Sequence, residues 1–291
     1  MKTKFLLVAS LVSFAFFMSC SSDETTSSEA VSKTVSTDDA IVNSEIDASV
    51  DDVSIIVEDQ FSVQQSLASR TIEPVKSILP ECATVTTVAG IDTYTKTIDF
   101  GTVGCAMPNG NVLKGKIIIS FSKNATTPSR TISYTLEGFY HNDKLIEGNK
   151  TITHEKKSTD LLETLHPVTT HLIDVTVTFA DGKIYTRKGT HVREMTVGFA
   201  TLGNWEDNVF KATGNHVTNF PNGAIFTTTI KTPLVFKSIC RKPFPVEGVV
   251  EINKNGGIAT LDYGNGECDN LATMTADGVS KVIELKRNNK Q

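Results

Sequence analysis

From Cys82 onward the chain alternates at every second residue and is cut at short intervals by Asn-Gly and Asp-Gly pairs, which leaves few folds open to it. Ile132, Tyr134 and Leu136 alternate with Thr131, Ser133, Thr135 and Glu137. Ile173, Val175, Val177 and Phe179 alternate with Asp174, Thr176 and Thr178, and Ile117, Ile119 and Phe121 repeat the pattern less cleanly. Apolar on one side and hydroxyl on the other is the signature of half-buried antiparallel strands. Asn109-Gly110, Asn142-Asp143, Asp181-Gly182, Asn222-Gly223, Asn255-Gly256 and Asp277-Gly278 tolerate the positive φ angles of tight hairpins, so each marks a turn. The spacing predicts an all-β body over 67–291, an antiparallel meander of about a dozen strands forming a sandwich or a strongly curved sheet.

One helix precedes it. Val42, Ile46, Val50, Val53, Val57 and Phe61 recur at steps of three and four, one stripe of an amphipathic helix over 38–66. Thr37 or Asp38 is positioned to cap it, and Asp38 and Asp39 suit its positive end. The stripe either docks a partner or covers one face of the chain's own sheet, and the second is the expectation.

Five cysteines are present. Cys105 ends the block Thr97-Ile98-Asp99-Phe100-Gly101 plus three residues. Cys268 ends Thr260-Leu261-Asp262-Tyr263-Gly264 plus the same gap. With Cys20 set aside, four remain and three pairings are open. Cys82–Cys105 and Cys240–Cys268 are favoured because each brackets one hairpin, and each closure is worth roughly 3.5 kcal/mol in the chain-entropy model. The wide spacing, without C-x-x-C, argues against a metal site.

Cys20 itself follows a distinctive leader. Lys2 and Lys4 precede the apolar run Phe5–Phe17, and Phe17-Met18-Ser19-Cys20 gives way to serine and acid. The run is too short to span a bilayer and reads as an export signal over 1–20. A small residue before a lone cysteine resembles the lipobox of bacterial lipoproteins, which implies acylation of Cys20, the membrane as a partner and an oxidising compartment. Ser21 in place of aspartate favours the outer membrane over the inner, and Asp23 and Glu24 place the cell surface slightly ahead of the periplasmic face. Residues 21–37 read as an acidic Ser/Thr-rich tether, able to extend roughly 55 Å. Residues 21–60 carry a net charge of −10 and residues 61–291 carry +3, so the body lacks the basic footprint of a nucleic-acid binder.

Motifs for catalysis are fragmentary. Asp99-Phe100-Gly101 stands without the other parts of a kinase signature, and Asp99 and Asp262 read as turn residues whose carboxylates accept backbone N–H groups. His154-Glu155 lacks the second histidine of a zincin and shares strand parity with Ile146 and Ile152, as a satisfied structural histidine would. His166 and His171 have opposite parity. Asp262, Asn265, Glu267 and Asp269 crowd a turn without EF-hand spacing and are read as a solvated acidic turn rather than a calcium site. There is no G-x-S-x-G, and nothing selects a carboxylate pair for glycoside hydrolysis. The loop from Val197 to Trp205 is apolar and glycine-punctuated. Phe199 and Trp205 either stack on a ligand or plug the end of the sheet, and the plug is preferred.

Taken together, T-I-D-F-G-x-x-x-C, Pro108-Asn109-Gly110, Lys114-Gly115-Lys116, Asn204-Trp205-Glu206-Asp207, Thr232-Pro233-Leu234 with Cys240, and T-L-D-Y-G-x-G-x-C resemble a group of uncharacterised lipoproteins of Gram-negative bacteria. That resemblance implies a shared fold and shared disulfides and carries no activity. The expected function is non-catalytic, with neither cofactor nor metal: a binding or structural module of the cell envelope whose partner is a glycan, a protein or an envelope polymer. The alternative is a carrier of lipid or another apolar ligand in a curved sheet lidded by the helix. An envelope-polymer hydrolase is a third class without a recognisable site.

Overall fold

The computed structural model describes residues 33–69, 77–124, 129–201, 206–240 and 244–285. Cys20, most of the tether and Trp205 lie outside them. A long helix, α1 (Thr37–Ser69), is followed by β1 (Thr84–Ala89), β2 (Thr93–Asp99), β3 (Cys105–Ala106), β4 (Val112–Ser122), β5 (Ser129–His141), β6 (Lys144–Thr159) and β7 (Leu162–Thr178). Then come β8 (Ile184–Val197), β9 (Val209–Asn219), β10 (Ile225–Lys237), β11 (Glu247–Lys254), β12 (Gly257–Asn265), β13 (Leu271–Ala276) and β14 (Val279–Glu284). Every pairing is antiparallel between chain neighbours, save that β2 reaches past β3 to β4. The result is one meander with β1 and β14 at its edges, not closed into a barrel.

The alternation places the expected residues inside. Ile117, Ile119, Phe121, Ile132, Tyr134, Ile173, Val175 and Val177 are buried and share one core with Ile46, Val50, Val53, Val57 and Phe61 of the helix stripe. Val42 is half-buried at its margin. The helix is capped by Ser36 rather than Thr37 or Asp38. The Asp39 N–H donates to Ser36 Oγ at 3.2 Å and the Ser36 N–H to Asp39 Oδ2 at 2.9 Å. This reciprocal box satisfies two orphan donors, with Asp in the place usually held by Glu or Gln.

The turns use the predicted chemistry. Gly110, Gly182, Gly223, Gly256 and Gly278 have positive φ, as do Asn142, Asn255 and Asp277. The repeated blocks fold alike: Asp99 Oδ1 accepts from the Gly101 N–H at 2.8 Å and Asp262 Oδ1 from the Gly264 N–H at 2.9 Å. Disulfides join Cys82 to Cys105 around the β1–β2 hairpin and Cys240 to Cys268 around β11–β12.

One helix touches β2, β4, β5, β6, β7, β8 and β11, so the sheet curves around it. Lys96 of β2 donates to Gln60 O at 3.1 Å, and Phe61 meets Phe121 of β4 edge-on at 5.2 Å. At the other end Lys254 of β11 pairs with Asp39 at 2.5 Å. Glycines allow the coiling. A Cβ on Gly189 would lie 2.3 Å from Asn215 O, and one on Gly214 (φ +132°) would lie 2.1 Å from Thr190 O. Gly214→Ala should therefore cost about 2 kcal/mol or more, through strain and a forced separation of β8 from β9. A urea midpoint unchanged from the parent would contradict this.

Candidate functional site

Besides its apolar stripe, α1 carries Asp47, Asp51, Ser54 and Glu58 at steps of four, three and four, which aligns them on a second face. Opposite stand bases held by the pleat. Arg187, His191 and Arg193 share one face of β8, His171 of β7 lies directly across from His191, and His216 of β9 lies across from Gly189.

The contacts between these rows are specific. The Arg187 side chain, 1 % exposed, donates Nη1–H to Asp47 Oδ1, Nη2–H to Asn43 Oδ1 at 2.8 Å and Nε–H to Thr218 Oγ1 at 2.9 Å. Lys150 Nζ donates to Val50 O at 3.3 Å, and Lys144 pairs with Glu45 at 3.1 Å. Glu58 Oε1 lies 3.5 Å from His171 Nε2, and His191 Nε2 lies 3.1 Å from His216 Nδ1. His216 Nε2 and His154 Nε2 are buried and have no hydrogen-bond partner among the described residues.

Crowding shifts the charges on both walls. Burial, then the charge of Lys150, pushes His171 down to about 3; burial, then Arg187, does the same to His216. His154 and His191 are lowered too, chiefly by burial. Lys150 falls to about 7 through burial, with Asp51 pulling the other way. Asp51 is pushed up to about 6 by the surrounding protein and then by Asp47, although solvent reaches its side chain. Glu58 is raised by burial against the opposing charge of Arg193. Clustered, perturbed titratable groups in a cleft mark a functional-site candidate.

Two clefts flank the helix. One, of about 280 Å³, is lined by Asp52, Ile55, Ile56, Met107, Pro108 and Leu113 among others. The second, of about 210 Å³, is lined by Glu58, Pro167, Thr169, His171, Arg193, Met195 and Phe210. The Arg193 guanidinium carbon lies over the Phe210 ring, 4.1 Å from its centroid.

A Ser–His–Asp chain also lies under α1. Ser49 Oγ is 3.1 Å from His141 Nδ1, and His141 Nε2 is 2.9 Å from Asp52 Oδ2, which also accepts from Asn109 and Asn111. The roles do not suit nucleophilic attack. Ser49 is 0 % exposed, and its hydroxyl donates back to Glu45 O at 2.9 Å, one helical turn earlier. No substrate reaches it, so the chain acts as a clamp between α1 and the end of β5.

The residues singled out from sequence fall in several places. Phe199 is half-buried, 6.2 Å from the ring of His166. His166 is fully buried and bonded to Glu194 at 2.8 Å, away from His171, as their parity requires. His154 stacks on Phe61 at 5.7 Å and bonds Thr169 Oγ1 at 3.1 Å. It is thus a core histidine, but only half satisfied, because strand neighbours supply a partner for one nitrogen alone. Asp269 Oδ1 accepts from the Leu271 N–H at 3.1 Å, within its turn. The acid face of α1 and the basic face of β8 were missed as a site. Their spacings were readable, but the rotation that sets one against the other was not.

Compared with family models, curated proteins and solved structures, the chain matches none.

Proposed function

We propose that this protein is a lipid-anchored, non-catalytic binding module of the bacterial envelope, tethered to the outer membrane through Cys20 and presenting its β body to a glycan, protein or envelope polymer. The carrying observation is the helix's double attachment. Its apolar stripe shares one core with the sheet, while Asp39, Asn43, Asp47, Ser49 and Asp52 are bonded to strand side chains along its length. A helix so pinned is a structural spine rather than a swinging lid, and recognition is left to the clefts and loops around it. The lipid-carrier reading draws on the apolar 280 Å³ cleft beside Ile55 and Met107, which lies just under the ~300–1,000 Å³ of typical ligand sites.

Native mass spectrometry of the full-length protein, set against the same sample denatured, separates the two. A bare protein mass supports the module. A reproducible apolar adduct lost on denaturation would move the carrier ahead. The anchor has its own test. Cys20→Ser should abolish metabolic labelling with palmitate and move the protein from the outer-membrane fraction to the soluble periplasm. Retention of both label and membrane fraction would refute lipidation at this residue.

A further inference from the structure

The cleft between the C-terminal half of α1 and β7–β9 contains a cation with unspent donors. A guanidinium offers five N–H groups in a planar fork that matches a carboxylate. Among the described residues, no hydrogen bond or ion pair engages the fork of Arg193. Its contacts are the rings of Phe210, at 4.1 Å, and Phe236, at 5.8 Å. The two rings hold the guanidinium in place by cation–π attraction, which uses none of its N–H donors and leaves them for a ligand.

The remaining lining sorts into two chemistries. Pro167, Met195 and Phe210 are apolar, whereas Glu58, Thr169 and His171 bond hydrogen. Burial keeps His171 neutral at physiological pH, so it offers one donor or one acceptor rather than a second charge. Glu58 decides among anions. A carboxylate within the same cleft repels a compact dianion such as sulfate, yet it is a strong acceptor for a hydroxyl. The cleft, about 210 Å³, is matched to one small ring rather than to an acyl chain.

We propose that this cleft binds a carboxylated sugar, a uronic-acid unit of an acidic polysaccharide, with its carboxylate on the Arg193 fork, its hydroxyls on Glu58, Thr169 and His171, and its C–H face on Met195 and Phe210. The assignment rests on the reading of the protein as an envelope binding module and names the ligand class that such a module takes.

Isothermal titration calorimetry on the full-length protein, with D-galacturonate, D-galactose and sulfate as probes, tests it, alongside co-sedimentation with polygalacturonate and with peptidoglycan sacculi. Galacturonate should bind at least about tenfold more tightly than galactose or sulfate, the contribution expected of a charge-assisted pair. Arg193→Gln should weaken galacturonate and polygalacturonate about tenfold while the circular dichroism spectrum stays unchanged, since the Arg193 side chain is exposed and makes no hydrogen bond among the described residues. Glu58→Gln should raise sulfate binding by removing the repulsion. Galactose or sulfate binding as well as galacturonate would overturn the proposal, as would an Arg193→Gln protein of undiminished affinity. Retention of polymer in the sedimentation assay, with galacturonate silent in the titration, would overturn the cleft assignment and leave the module standing. Failure to bind sugar, polygalacturonate and sacculi alike would overturn the cleft assignment and remove the glycan and polymer partners, leaving the module only a protein partner.

Discussion

Val53→Asp is expected to unfold the protein. Val53 is 1 % exposed at the centre of the helix stripe, and it belongs to the core that the helix shares with the concave face of the sheet. An aspartate there loses the burial of the valine and brings a carboxylate into a site with no partner for it, together at least about 4 kcal/mol against a total stability of roughly 5–15 kcal/mol. Ile55→Asp is the matched control. Ile55 lies two positions along on the same helix but is 52 % exposed, so the same charge should change stability by no more than about 0.5 kcal/mol. Urea denaturation followed by circular dichroism reads both. A folded Val53→Asp protein with a normal urea midpoint would mean that the space beneath α1 is a cleft able to admit water. The carrier reading would then replace the module.

The contrast between these two positions also shows what the sequence could convey. Period-two alternation states which residues of a strand share a face, and Asn-Gly or Asp-Gly states where the strand reverses. The meander, its hairpins, both disulfides and the apolar stripe of α1 followed from those local rules. The strand count rose from about a dozen to fourteen because short pieces such as Cys105–Ala106 carry too few residues to show a period.

Curvature was not legible. It depends on where mid-strand glycines fall relative to the neighbouring strand. The approach of Gly189 to Asn215 O and of Gly214 to Thr190 O exists only once the β8–β9 register is fixed. The candidate site failed to declare itself for a related reason. Arg187, His191 and Arg193 are visibly on one face of β8, and Asp47, Asp51 and Glu58 visibly on one face of α1. That the two faces meet depends on how the helix is rotated within the sheet, which the apolar stripe sets from the other side. Ser49, His141 and Asp52 combine i, i+3 spacing on the helix with a contact across about ninety residues of chain, beyond any local pattern. The cap is hidden for a smaller reason: Ser36 falls among the serines and acids of the tether, where Asp39 reads as a dipole charge rather than as half of a capping box.

The same buried histidines and lysines should give the protein an unusually alkaline stability optimum. His171 and His216 sit at about 3 in the folded state against an ordinary 6.5, so between those values the unfolded chain binds protons that the folded chain refuses. Their contribution is complete above pH 6.5 and is lost as pH falls toward 3, at about 1.4 kcal/mol per pH unit for each group. His154 and His191 act in the same direction. Asp51, at about 6, and Glu58, also raised, oppose them, because a raised carboxyl favours the folded state at low pH and loses that advantage as pH climbs. Asp51 is open to solvent, which screens its share. The net slope between pH 4.5 and 6.5 should thus be positive, on the order of 1–3 kcal/mol per unit.

Lysines extend the rise. Lys150, at about 7 when folded, and Lys96, also lowered by burial, are deprotonated in the folded state before the unfolded chain releases their protons near 10.5, so stability continues to climb between about pH 7 and 10. Buried Tyr134 is shifted upward and resists ionisation in the folded state, which ends the climb above its ordinary value of 10. Thermal denaturation from pH 4.5 to 10 should show a midpoint that rises steadily to a maximum near pH 9–10, where most domains peak at about 5–8. Replacing both His171 and His216 with glutamine should flatten the acid limb and leave the alkaline limb unchanged. A parent curve level from pH 5 to 8 would show that water reaches these side chains freely and that the trough between α1 and β6–β9 is open rather than crowded.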